Sequence, residues 1–157
     1  MLVAVVSDTH RVDSYINLAL QKIKDADILI HLGDNVEDVR RFEEGFKGEV
    51  FAVSGNCDYS DLYPEERIVK IGDKRLFLTH GHRYGVKSGL NSLFYKAKEL
   101  EVDAALYGHT HQEIILKEDG ILIMNPGSVS LPRGEGRFVG FLEIEEGKEI
   151  KAYLKEL

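Results

Sequence analysis

Hydrophobic residues form short continuous runs that alternate with stretches in which they recur at helical spacing. Three runs have the pattern of strands buried on both faces, at residues 1–7, 26–32 and 49–55. Between these runs, residues 13–23 and 36–46 predict amphipathic helices, and Asp13 is the expected N-cap of the first. This alternation predicts βαβ units and a mostly parallel sheet.

The second half of the chain changes from this alternation to antiparallel patterns. Residues 57–66 have no clean period and predict a loop, whereas residues 67–71 and 75–80 flank a Gly-Asp-Lys turn and predict a hairpin. Residues 88–100 predict a helix, and residues 103–108 predict another buried strand. From residue 112 onward, apolar and polar residues alternate around turn signals, which indicates further antiparallel hairpins.

The pattern as a whole predicts an α/β fold in which two sheets pack together with helices outside. We expect one domain spanning residues 1–157, since no repeat, low-complexity tract or linker interrupts the chain. The hydrophobic content of 43% and the charged content of 30% are ordinary for a globular domain of this length.

Polar residues that ligate metals follow five of the predicted strands. They are Asp8 and His10, Asp34 and Asn35, Asn56, His80 and His82, and His109 and His111. Ligands of such sheets bind in the crevice outside the carboxyl ends of the strands. Residues i and i+2 of an extended segment point the same way, about 6–7 Å apart. Asp8 with His10, and His109 with His111, are therefore expected to aim paired side chains at one point. Glycines adjoin these residues, as expected where the backbone turns tightly beside a site: Gly33, Gly55, Gly81 and Gly108.

Each of these residues also has a purely structural interpretation. A lone Asp or His at a strand end is equally often a cap or a turn former. His31 lies inside an apolar run and is predicted to be a hydrogen-bonded core histidine. His82 stays open between a substrate contact, a residue that orients a metal ligand and an ordinary loop residue.

Charge and cysteine content narrow the function classes. A formal net charge of −7 argues against stable nucleic-acid binding, so a bound metal is the expected attractor for any phosphate. The single cysteine, Cys57, excludes an internal disulfide and fits a reducing compartment. Without a basic leader or a run long enough to span a membrane, we expect a cytoplasmic protein with no membrane association.

The motifs Asp-x-His, Gly-Asp-Asn, Gly-Asn-x-Asp, His-Gly-His and Gly-His-Thr-His together resemble those of the calcineurin-like metallophosphoesterases. The resemblance runs from residue 8 through "NPGSVSLPRG" at 125–134, and it is closest to the compact phosphodiesterases of the YfcE and MJ0936 type. It implies a four-layer α/β/β/α sandwich of two mixed sheets flanked by helices. It also implies two divalent transition-metal ions, manganese first, with iron, zinc or nickel as alternatives.

Carried over position by position, the resemblance implies a role for each motif residue. Asp8, His10 and His111 would hold one ion, Asn56, His80 and His109 the other, and Asp34 would bridge them. Asp34 and Asn56 would also belong to the catalytic centre, with Cys57, Asp58 and His82 beside them. Cys57 departs from the wider superfamily, which has histidine there, and a neutral thiol is a poor substitute for an imidazolium as proton donor.

The activity implied is hydrolysis of a small phosphodiester, or of a phosphomonoester, by in-line attack of a metal-bridging hydroxide. The subgroup tends to form dimers or tetramers, although no stretch of this chain identifies an interface. One alternative is a catalytically weak or inactive protein-binding scaffold like the retromer subunit of this fold; another is a mononuclear metal enzyme.

Several residues near the motifs have weaker assignments. Arg11, Arg83 and Arg133 are candidate phosphate contacts, although each is better explained as a surface arginine. Asn125 and Ser128 belong to a Pro-Gly turn, for which a structural role is expected.

Overall fold

The computed structural model describes residues 1–59 and 61–157; residue 60, within the predicted loop 57–66, lies outside the described residues. The strands are β1 (Leu2–Val6), β2 (Ile28–His31), β3 (Glu49–Ala52), β4 (Glu66–Ile71), β5 (Lys74–Thr79), β6 (Ala104–Leu106), β7 (Glu113–Glu118), β8 (Ile121–Pro126), β9 (Phe138–Glu143) and β10 (Lys151–Glu156). The α-helices are α1 (Asp13–Ile23), α2 (Val39–Gly45) and α3 (Asn91–Glu99), and short 3-10 turns cover Val36–Asp38 and His82–Tyr84.

The strands form two five-stranded mixed sheets. The first has the order β10-β9-β1-β2-β3, with β1, β2 and β3 parallel. The second has the order β4-β5-β6-β8-β7, in which β5, β6 and β8 are parallel. The hairpins β4–β5, β7–β8 and β9–β10 are antiparallel, as their alternating sequences predict.

Apolar clusters on both faces of each sheet hold the layers together. Side chains from the inner faces of both sheets, including Val5, Ile30, Leu78 and Leu106, form the central core. The outer face of the first sheet packs against α1 and α2, and the outer face of the second packs against α3. The predicted α/β architecture of two mixed sheets flanked by helices is therefore confirmed.

The sequence-based expectations differ from the structure mainly at element ends. Asp13 is the first helical residue rather than the N-cap, because Val12 occupies the cap position and no side chain caps the helix. The predicted helix 36–46 is a 3-10 turn followed by α2, and the predicted helix 88–100 begins only at Asn91. None of the helices in the described part of the chain has the length and apolar character needed to cross a membrane.

Candidate metal centre

The site lies where β1, β2, β3, β5 and β6 end, and its backbone turns sharply. Five of its non-glycine residues have left-handed φ values: Asp8 (53°), His10 (46°), Asp34 (59°), His109 (67°) and His111 (58°). These segments are not extended, so the geometric reason for the expected pairing is wrong. Asp8 and His10 nevertheless converge, whereas His109 and His111 do not. Such conformations cost free energy and cluster at functional sites.

The turns send His109 and His111 to opposite sides of the site. The His111 ring lies 5.1 Å from the His10 ring, and the His109 ring lies 5.0 Å from the His80 ring. Each histidine of the Gly-His-Thr-His motif therefore joins a different partner. His109 and His111 separate because the backbone bends at residues 109 and 110.

Asp8 is the meeting point of the buried ligand-type atoms. Its Oδ1 lies 3.1 Å from His111 Nε2 and 4.0 Å from the Nε2 atoms of His10 and His80. Asp34 Oδ1 lies 3.3 Å from His80 Nε2. Ligand atoms of Asp8, His10, Asp34 and His111 all lie within 4.8 Å of one another, which is a spacing suited to a metal ion.

Two of the histidines are oriented for metal binding by backbone carbonyls. His80 Nδ1 donates to Leu32 O, and His111 Nδ1 donates to Leu131 O, each at 2.7 Å. With the Nδ1 proton engaged, the Nε2 lone pair of a neutral ring points at the carboxylates, which also carry only lone pairs. Asp8 Oδ1 and His80 Nε2 are buried without a hydrogen-bond partner among the described residues. Carboxylate oxygens and Nε2 lone pairs that face one another form a site suited to a divalent cation.

The ionisation of these groups points the same way. Burial opposes the charge of Asp8, but the nearby His111 and His80 rings and the Ser7 hydroxyl hold its pKa below the ordinary value. Burial likewise opposes the charge of Asp34, whose pKa is lowered chiefly by His80. The same carboxylates raise the pKa of His80 and His111 despite the burial of these rings. The cluster therefore attracts positive charge.

Hydrogen bonds from both sheets fix the Asp8 carboxylate and backbone. Ser7 Oγ donates to Asp8 Oδ2 at 2.6 Å, and the His109 amide donates to the same oxygen at 3.1 Å. Ser128 Oγ donates to the Asp8 carbonyl at 2.7 Å, so the segment after the Pro-Gly turn helps to position the site. Asn125 donates to the Gly108 carbonyl at 2.8 Å.

Asp58 organises the backbone around Asp34. Its Oδ2 accepts from the amides of Asp34 (2.9 Å) and Gly55 (2.7 Å), and its Oδ1 accepts from the Val36 amide (2.9 Å). These three bonds tie the turn after β2 to the turn after β3. Asp58 therefore holds the backbone that carries Asp34.

The remaining candidates lie at the rim. The Cys57 amide donates to Asp34 Oδ1 at 3.0 Å, while burial and the Asp34 carboxylate raise the pKa of the Cys57 thiol to about 11. Asn56 is exposed, and its Nδ2 lies 3.6 Å from Cys57 Sγ. The half-buried His82 ring lies 5.6 Å from the His80 ring and 6.1 Å from the His109 ring. Burial and the charge of His80 lower the pKa of His82.

A buried relay, not apparent from the sequence, connects the turn after β1 with the turn after β2. The Gly33 amide donates to His31 Nδ1 (3.2 Å), His31 Nε2 donates to Thr9 Oγ1 (3.1 Å), and Thr9 Oγ1 donates to Asp38 Oδ2 (2.6 Å). His31 is fully buried, and burial lowers its pKa to about 4, so the ring is neutral. The prediction of a hydrogen-bonded core histidine is confirmed.

Replacing Thr9 by valine keeps the shape of this side chain and removes its hydroxyl. We expect the free energy of unfolding to fall by about 1–3 kcal/mol, because His31 Nε2 and Asp38 Oδ2 lose a buried partner. Urea denaturation at neutral pH measures this change. Thr9→Ser keeps the hydroxyl and should recover most of the loss; a valine variant as stable as the wild type would show that the relay contributes nothing.

Comparison with known proteins identifies the family. Residues 1–147 match the family model of the calcineurin-like phosphoesterase superfamily domain. The chain belongs to this superfamily. Among the relatives of this chain, the probable metallophosphoesterase YsnB of Bacillus subtilis is 33% identical over 138 residues, covering 85% of this chain and 78% of YsnB. Phosphodiesterase MJ0936 of Methanocaldococcus jannaschii is 31% identical over 150 residues, covering 81% and 83% of the two chains.

Solved structures share the calcineurin-like phosphoesterase fold over nearly the whole chain. A novel archaeal phosphodiesterase has a TM-score of 0.81 and 25% identity, covering 99% of this chain and all of its own. Vps29 of Entamoeba histolytica in complex with zinc has a TM-score of 0.80 and 22% identity, covering 99% and 98% of the two chains. The second likeness shows the fold alone. The resemblance predicted from the sequence motifs is confirmed at the level of the superfamily and its compact phosphodiesterases.

Proposed function

We propose that this metallophosphoesterase hydrolyses small phosphodiesters at a centre of two divalent metal ions. The observation that carries the proposal is the convergence of buried ligand atoms that have no hydrogen-bond partner among the described residues, above all Asp8 Oδ1 and His80 Nε2. The family match and the phosphodiesterase MJ0936 among the relatives support the reaction class. We infer two ions rather than one because the histidines form two pairs, one on each side of the carboxylates.

The ligand set that we propose divides along those two sides. Asp8, His10 and His111 would hold the first ion, Asn56, His80 and His109 the second, and Asp34 would contact both. Nitrogen and oxygen ligands suit manganese, iron, zinc or nickel, of which we propose manganese. Asn56 contributes only if its exposed amide turns from Cys57 toward His80.

The residues of the chain have distinct tasks in the proposed reaction. Divalent ions held by these ligands would supply Lewis acidity and activate water for in-line attack on phosphorus near neutral pH. Asp34 is held by the amide of Cys57, and Asp58 holds the backbone of Asp34. His82 lies beside His80 and His109 at the rim, where it can donate a hydrogen bond to a phosphate oxygen.

Metal content and hydrolysis test the proposal together. Protein reconstituted with manganese should contain about two ions per chain and cleave bis-p-nitrophenyl phosphate. His109→Ala should lower the content to about one ion, because it removes a ligand of only one side, and activity should fall with it. Elemental analysis and release of p-nitrophenolate measure both quantities. A wild type with at most one ion per chain would contradict the dinuclear centre.

The scaffold alternative predicts binding without turnover. The Vps29 structure in complex with zinc shares the fold at 22% identity, so metal content alone does not separate a scaffold from an enzyme. Hydrolysis does separate them. A protein that contains about two ions and cleaves no phosphodiester would support the scaffold.

Cys57 sets an expectation for substrates with poor leaving groups. Replacing it by histidine should raise kcat for an unactivated diester, such as a dinucleoside phosphate, by about tenfold, because imidazolium is the better proton donor near neutral pH. Turnover of bis-p-nitrophenyl phosphate should change little, since p-nitrophenolate needs no protonation. Steady-state kinetics at matched metal content measure both. Equal or lower kcat on the unactivated diester would contradict this role for position 57.

A further inference from the structure

The side of the site next to His111 carries two arginines, Arg133 and Arg137, that form no ion pair with a carboxylate among the described residues. The Arg133 amide donates to the His111 carbonyl at 2.8 Å, which fixes this exposed arginine beside a proposed metal ligand. Within the part of the chain that the structure describes, no acidic group forms an ion pair with Arg133. Two other arginines near the site differ, since Arg11 pairs with Glu37 at 2.9 Å and Arg83 pairs with Glu65 at 2.6 Å.

Two hollows open on either side of Arg133. One, of about 440 Å³, is lined by His111, Ser130, Leu131, Pro132, Arg133 and Arg137. The other, of about 220 Å³, is lined by Val86, Lys87, Thr110, Gln112 and Arg133. Each hollow therefore contains Arg133 and a second basic side chain. We call this surface the basic flank, defined by Lys87, Arg133 and Arg137.

Arg137 and Lys87 are also without an acidic partner among the described residues. The Arg137 guanidinium lies 4.2 Å from the centre of the Tyr15 ring, and its buried Nε makes no hydrogen bond to the described residues. The contact with the Tyr15 ring holds the guanidinium in place without an acidic partner. Of the neighbouring acids, Glu113 accepts a hydrogen bond from the Glu135 amide at 2.6 Å, and neither of these two residues forms an ion pair with the flank.

The opposite side of the site has the opposite character. There a hollow of about 730 Å³ is lined by Asp58, Asp61 and Glu65, together with Tyr59 and Tyr63. None of its described lining residues is basic, although Glu65 pairs with Arg83 outside the lining. In a chain of net charge −7, unpaired cations on one flank and carboxylates on the other make the site strongly asymmetric. An anionic group is attracted to one side and repelled from the other.

We propose that the basic flank binds a second phosphate group of the substrate. The substrate is then a phosphodiester whose scissile phosphate lies at the metal centre, with a phosphomonoester on the arm that extends past His111. The planar guanidinium of Arg133 matches two phosphate oxygens, and Arg137 offers a second set of donors across the hollow. The other arm is uncharged and lies toward Tyr59. This inference rests on the proposed phosphodiesterase function and names its substrate class.

A matched pair of esters tests the inference with the manganese-loaded protein. They are thymidine 5′-(p-nitrophenyl phosphate) and the same ester carrying a 3′-phosphate, and the release of p-nitrophenolate follows both. For the wild type, the 3′-phosphate should lower KM about tenfold with little change in kcat, because the extra contact is equal in ground and transition states. Raising the salt concentration to about 0.5 M should shrink this advantage.

Variants locate the effect. In the double variant Arg133→Gln/Arg137→Gln, the ratio of the two KM values should approach one. Arg75→Gln is the matched control, since Arg75 is exposed at the amino end of β5, the end away from the site, and the tenfold ratio should persist there. Equal KM values for the two esters in the wild type, or a ratio unchanged in the double variant, would overturn the inference. Inactivity toward both esters would overturn the proposed function and this inference together.

Discussion

Replacing Asp34 by alanine is expected to reduce kcat/KM for bis-p-nitrophenyl phosphate by about 10³-fold. The carboxylate lies 3.3 Å from His80 Nε2 and belongs to the same cluster as Asp8, so its loss removes a ligand from both sides of the proposed centre. Weakened charge stabilisation worth several kcal/mol corresponds to a rate loss of this size. Steady-state kinetics in excess manganese measure it, and elemental analysis should show fewer than two ions per chain.

Asp25→Ala is the control for this substitution. Asp25 is exposed between α1 and β2, at the edge of the sheet opposite the site, so the same chemical change there should leave activity intact. An Asp34→Ala protein that retains more than about a tenth of the wild-type activity would contradict the bridging role. Circular dichroism of both variants would show whether the fold is kept.

Adding one methyl group at Gly108 is expected to reduce the same activity by about 10²-fold. A Cβ at this position would overlap Ser7 Oγ and lie 2.9 Å from Asp8 Oδ2, so Gly108→Ala must push the serine or the carboxylate aside. A displacement of about 1 Å at a catalytic centre has an effect of this order. The overpacking should also lower the free energy of unfolding by about 1–3 kcal/mol. Enzyme kinetics and urea denaturation measure the two effects.

Gly147→Ala is the control that separates displacement of Ser7 or Asp8 from a general loss of stability. Gly147 lies in the turn between β9 and β10, has φ of 71°, and would place a Cβ with no atom within 4 Å. Its substitution should cost about 1 kcal/mol through backbone strain and leave activity unchanged. If Gly108→Ala loses no more activity than Gly147→Ala, the close contact with Asp8 does not matter for the reaction.

The element order and the positions of the candidate ligands were accessible from the sequence for a simple reason. Each ligand-type residue lies within a few residues of the end of a strand. Parallel strands place their carboxyl ends on the same side of the sheet, so these residues come close together. His80 follows β5 and His109 follows β6 closely, so the sheet itself brings them together. Local hydrophobic pattern and general sheet geometry suffice for this part.

The backbone of the turns and the groups that orient the ligands were not accessible in this way. The left-handed φ of His109 and His111 depends on contacts with other segments, such as the bond from His111 Nδ1 to the Leu131 carbonyl. The relay from His31 through Thr9 to Asp38 joins positions up to 29 residues apart. Periodicity describes one element at a time, so it carries no information on such pairings.

The hydrogen bond from His80 to the Leu32 carbonyl crosses from one sheet to the other, and the whole ligand set does the same. Asp8 and Asp34 follow strands of the first sheet, while His80 and His111 follow strands of the second. A cation bound by these residues would therefore link the two sheets along one edge of the sandwich. Separation of the two sheets would then require release of the ion. Tighter metal binding would therefore raise the free energy of unfolding.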